Sequence, residues 1–81
     1  MNQKQKAIEE TAKRILSHIL ANARKNECED NPEWLSLEIF DLCEYMNNSN
    51  ESNRTVANEI LKMYSFPPST IEYVRRYFSG G

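Results

Sequence analysis

Apolar residues recur at three- and four-residue intervals along most of the chain, the period of a helix rather than the two-residue alternation of a half-buried strand. Ile8, Ala12, Ile15, Leu16, Ile19 and Ala23 form one such stripe and predict a first helix from about Lys4 to Lys25, with Lys13, Arg14 and Arg24 off the stripe. Asn26 and the stretch Cys28-Glu29-Asp30-Asn31 end it. Asn31-Pro32-Glu33 then announces a second helix: a capping side chain, a proline at the first helical position and an acid in the first turn. This helix is expected to run from Pro32 to about Met46, with Leu35, Ile39, Leu42, Cys43 and Met46 on its main apolar face. Leu37 and Phe40 fall nearly opposite, among Glu33, Asp41 and Glu44. A helix apolar on two sides needs two neighbours, and either the C-terminal helices or a second subunit would serve.

Asn47 to Asn53 reads as a polar loop, and Ser52 or Asn53 can cap a third helix over about Arg54 to Tyr64, with Val56, Ile60, Leu61 and Tyr64 turned inward. Ser65-Phe66-Pro67-Pro68 breaks the chain, because proline removes a donor and restricts the residue before it. Ser69-Thr70-Ile71-Glu72 has the spacing of a capping box and places a fourth helix over 69–78, with Ile71, Val74 and Phe78 inward. Ser79-Gly80-Gly81 is a helix stop. The expectation is an all-α fold: one compact four-helix domain over 81 residues, too short for two independent cores.

Charge changes the picture more than composition does. The net charge is only −2, yet residues 1–26 carry six bases against two acids, residues 27–52 carry eight acids and no base, and residues 53–81 carry four bases against two acids. Such segregation permits a basic face made from the two ends of the chain, with the acidic middle turned away. The acids Glu33, Asp41 and Glu44 are read as a solvated face. Cys28 and Cys43 are too few for a structural zinc site, and His18, the only histidine, falls on a polar side. No glycine-rich phosphate loop, activated nucleophile or ligand set is present, so neither an enzyme nor a cofactor or metal is expected. The three sequons at Asn47, Asn50 and Asn53 are coincidences of an Asn/Ser-rich loop. No apolar run is long enough to span a bilayer, and Met1 to Arg14 has no signal-like apolar core; no membrane role and a cytoplasmic location are expected.

The run from Glu59 to Val74 carries the one functional signal. Glu59-Ile60-Leu61, Tyr64-Ser65-Phe66, Pro68-Ser69-Thr70-Ile71 and Val74 have the apolar spacing of a helix-turn-helix. The segment 54–78 resembles the helix-turn-helix of small bacterial and phage DNA-binding regulators, and implies such a motif at the C-terminal end of the domain with no wing. Leu61 stands where that motif prefers a small residue, which predicts wider spacing of the two helices, and Ser65 stands where a glycine often supplies a positive-φ turn. The resemblance implies that helix 69–78 enters the major groove of double-stranded DNA. Ser69, Glu72, Tyr73 and Arg76 would lie on its outer face, with Thr70 and Tyr77 at the margins. Arg76 would pair with guanine and Glu72 with cytosine, Ser69 or Thr70 would hold a phosphate at the helix N-terminus, and Arg54, Lys62 and Arg75 would contact the backbone. One such motif binds weakly and usually works as a dimer, joined here through the first helix or the Leu37/Phe40 strip.

A second reading is a helical adaptor or inhibitor. Trp34, Leu37, Phe40 and Tyr45, set among acids on helix 32–46, form an apolar and acidic surface suited to a basic, groove-bearing protein partner. In that case Glu72 and Arg76 are an ordinary surface pair, and Tyr73 and Tyr77 are amphipathic surface or interface aromatics.

Overall fold

The computed structural model describes residues 2–79, which form four helices: α1 (Gln3–Lys25), α2 (Pro32–Met46), α3 (Asn53–Met63) and α4 (Pro68–Ser79). No strand occurs among the described residues, so the all-α expectation holds, while Gly80 and Gly81 of the expected stop lie outside them. Three helices begin on polar caps. Asn2 accepts from the Gln5 amide, Asn31 from that of Trp34 at 3.0 Å, and Ser52 from that of Thr55 at 3.1 Å.

α4 begins differently from the expectation. It starts at Pro68, one residue early, with proline's fixed φ suited to the first helical position. The capping box at Ser69 is not used, because Glu72 reaches forward to Arg76 at 2.7 Å instead of back to the helix start. The turn before it also departs from the helix-turn-helix pattern. Tyr64 is extended at φ −148° and ψ 147°, and Ser65 is not among the positive-φ residues, which are Glu27 and Asn50. The Phe66 amide instead bonds to the Tyr64 carbonyl at 3.0 Å, so a three-residue turn centred on Ser65 replaces the glycine turn.

α2 is the central element. It packs against α1 and α3 on one side and against α4 on the other, whereas α3 and α4 meet only at their margins. Leu35, Ile39 and Cys43 are buried with Ile15, Ile19 and Ala23 of α1 and Val56, Ala57 and Ile60 of α3. On the other side Phe40 meets Tyr77 edge-on, with ring centroids 5.5 Å apart, and Phe78 at 5.2 Å. Buried Ser36 donates to the Glu33 carbonyl at 2.7 Å, which leaves its oxygen to accept from the Tyr77 hydroxyl 3.3 Å away. The second apolar side of α2 is therefore covered within one chain at Phe40, whereas Leu37 stays 48% exposed. The α1 stripe is likewise taken up in the core: Ala12, Ile15, Ile19 and Ala23 are fully buried and cannot serve as a dimer seam. Tyr64, expected inward, is instead exposed at the end of α3 with its ring against buried Phe66.

The connections are tightly specified. After α1, the Cys28 amide bonds to the Ala23 carbonyl (2.8 Å) and the Glu27 amide to that of Arg24 (3.3 Å), the double closure of a Schellman motif. Its left-handed residue is Glu27, at φ 57°, where glycine is the usual occupant. Between α2 and α3, the Asn47 amide donates to the Glu51 carbonyl and to Asn53 Oδ1, each at 2.8 Å, while its Oδ1 accepts from Ser49. Asn48 Oδ1 accepts from Thr11 and Arg14, tying this loop to α1.

Replacing Glu27 with glycine should raise stability by roughly 0.5–1 kcal/mol in urea unfolding, because the left-handed conformation no longer crowds a Cβ. Burial pushes the Cys43 thiol from 9.0 up to about 12. A raised folded pKa means that this contribution to stability is complete below about pH 9 and is lost as pH rises toward 12. The urea midpoint should accordingly fall more steeply over that alkaline range for the wild type than for Cys43→Ala; equal slopes would refute the assignment.

Candidate nucleic-acid interface

Around α4 the helical period sorts the side chains into four sectors. Val74 and Thr70 are buried, Tyr77 lies toward α2, Ile71 and Arg75 lie toward α3, and Phe78 reaches both, meeting Phe40 of α2 and lining the groove with α3. The remaining sector carries Ser69, Glu72 and Arg76, all exposed. Of the outer-face residues inferred from the motif, these three share open surface and half-buried Tyr73 flanks them.

Thr70 does not belong to that face. It is fully buried, and its hydroxyl lies 3.4 Å from the Pro32 carbonyl at the start of α2, so it cannot meet a phosphate. The correction follows from packing. α4 leans on α2, which rotates the Thr70 sector inward and makes it a contact between the two helix starts.

Arg76 Nη2 lies 2.7 Å from Glu72 Oε1, with both side chains about two-thirds exposed. Pairs of this kind contribute only a few tenths of a kcal/mol, so a stronger partner can draw either group away. Glu72 thus offsets Arg76, the one cation of this exposed sector.

Arg54, Lys62 and Arg75 come together at a groove between α3 and α4 of about 540 Å³. Asn58, Leu61, Ile71, Val74, Phe78 and Ser79 complete its lining, which contains no carboxylate. Leu61 is half-buried on the α3 wall of this groove. The apolar floor was not apparent from sequence, since Leu61, Ile71 and Phe78 have ordinary core spacing. Leu61 at a position that favours a small residue was the available signal. None of the α1 bases lines this groove, and Arg14 is engaged with Asn48.

The residues of the adaptor reading are divided by the fold. Trp34 packs against the core and Phe40 is wedged between Tyr77 and Phe78, whereas Leu37 (48% exposed) and Tyr45 (86% exposed) remain open. Among the described residues, no helix is long and apolar enough to cross a membrane. No protein-family model matches the chain, and neither a curated protein nor a solved structure is found to match it.

Proposed function

We propose that this chain is a small DNA-binding regulator that presents α4 to the major groove of duplex DNA. The supporting observation is the gathering of Arg54, Lys62 and Arg75 beside the exposed Ser69/Glu72/Arg76 sector, on a groove lining free of carboxylates. Phosphates of one strand would be held by those three cations, while Arg76 exchanges Glu72 for a base edge and Ser69 serves the phosphate at the helix start. Tyr73 flanks this contact. Trp34 and Phe40 are engaged in the monomer's own packing, which leaves the adaptor reading two exposed apolar residues, Leu37 and Tyr45. Phage and mobile-element regulators are proteins of this size, and a cytoplasmic setting suits the role.

With three phosphate contacts, the logarithm of the association constant for random-sequence duplex should fall with log salt at a slope of about −3. Anisotropy titrations starting near 20–50 mM salt measure this, and absence of binding at the low end would sink the reading. Arg76→Ala should lose about 1–3 kcal/mol at one base position of a selected site, leaving the other positions unaffected. Glu72→Gln should tighten binding to random duplex, because Arg76 is released from its partner and a repelling charge is removed; weaker binding would place Glu72 in base recognition instead.

A further inference from the structure

The floor of the α3/α4 groove is formed by Leu61, Ile71, Val74 and Phe78, and its rim by Arg54, Lys62 and Arg75. Phosphates match the rim, but a sugar-phosphate backbone offers nothing apolar to cover the floor. A surface that satisfies both must be acidic and carry an apolar side chain at its centre.

This chain carries such a surface. Glu33, Leu37, Asp41 and Glu44 follow one another at helical spacing along the solvent side of α2, and all four are exposed. No ion pair among the described residues involves these three carboxylates, and none involves Arg54, Lys62 or Arg75. Leu37 is 48% exposed, a large apolar residue left open between the carboxylates. α4 separates this stripe from the groove, because its opposite flanks face α2 and α3, so a chain cannot fold its own stripe into its own groove.

We propose that copies of this chain associate by seating the Glu33/Leu37/Asp41/Glu44 stripe of one in the α3/α4 groove of another. Leu37 covers the apolar floor, and the three carboxylates face Arg54, Lys62 and Arg75. Exposed charges add orientation and encounter rate more than affinity, so the association is weak and sensitive to salt. It stands on the groove and the stripe and does not require DNA binding. Because the same cations would serve phosphates, an occupied groove excludes duplex from it.

Sedimentation velocity on the full chain over about 10 µM to 1 mM, at about 20 mM and about 500 mM salt, tests the proposal. The weight-average coefficient should climb with concentration at low salt and stay flat at high salt. Two doubly reversed variants make the test specific: Arg54→Glu with Arg75→Glu, and Asp41→Lys with Glu44→Lys. All four positions are exposed, and circular dichroism checks that the variants remain folded. Each variant alone should associate at least about tenfold more weakly than the wild type. Their equimolar mixture should restore a two-chain complex, because one retains the acidic stripe and the other the basic groove. A wild type that stays monomeric at low salt overturns the proposal and leaves the groove to duplex phosphates or to an acidic helix of another protein. Association that survives either reversal, or a mixture that fails to pair, overturns it equally.

Discussion

The burial of α2 on two sides is the constraint on which the rest of the structure depends. Leu35, Ile39 and Cys43 hold it to α1 and α3, and Ser36 and Phe40 hold α4 to it. α4 has little other support, since it meets α3 only at the margins. The Phe40 contacts with Tyr77 and Phe78, together with the Thr70 hydroxyl near the Pro32 carbonyl, therefore set the position and rotation of α4. They also leave the far side of that helix open, which makes the groove a consequence of how α2 is packed.

The distribution of charge acquires meaning through this arrangement. A net charge of −2 describes a weakly acidic chain, and an average of that kind hides two surfaces of opposite sign. Helix packing draws Arg54 and Lys62 of α3 and Arg75 of α4 to one groove, while Glu33, Asp41 and Glu44 line the outer side of α2. Local charge density and the apolar atoms beside it govern encounter and docking, and the total governs them less. The Glu72–Arg76 pair is the local exception, a carboxylate 2.7 Å from the one cation of the exposed α4 sector.

Much of the fold was legible in the chain. Long periodic stretches uninterrupted by glycine, with Asn31-Pro32 and Ser52 at helix starts, marked four helices because caps and period act over a few residues. The second apolar strip on α2 signalled a second neighbour, and α4 supplies it at Phe40 but not at Leu37. Less was legible at the candidate site. The spacing of Ser69 and Glu72 read as a capping box, whereas the helix starts one residue earlier at Pro68, and a tight turn over Ser65 stands where the helix-turn-helix pattern often uses a glycine. Thr70 read as a polar surface residue, yet it is buried against Pro32, because a threonine tolerates burial wherever a carbonyl lies within reach.

The sequence by itself determined the helices, their caps and the segregation of charge into acidic and basic stretches, all of which depend on neighbours within a turn or two. Only the tertiary structure decided which apolar strip met which helix. It took up the α1 stripe and Phe40 inside one chain, left Leu37 in solvent, and separated α3 from α4 to form a basic-rimmed groove. The physical reason is that helical period names the face to be buried but not the partner. The partner follows from side-chain shape across the interface, where Ser36 admits the Tyr77 hydroxyl and Leu61 stands in the gap between two helices.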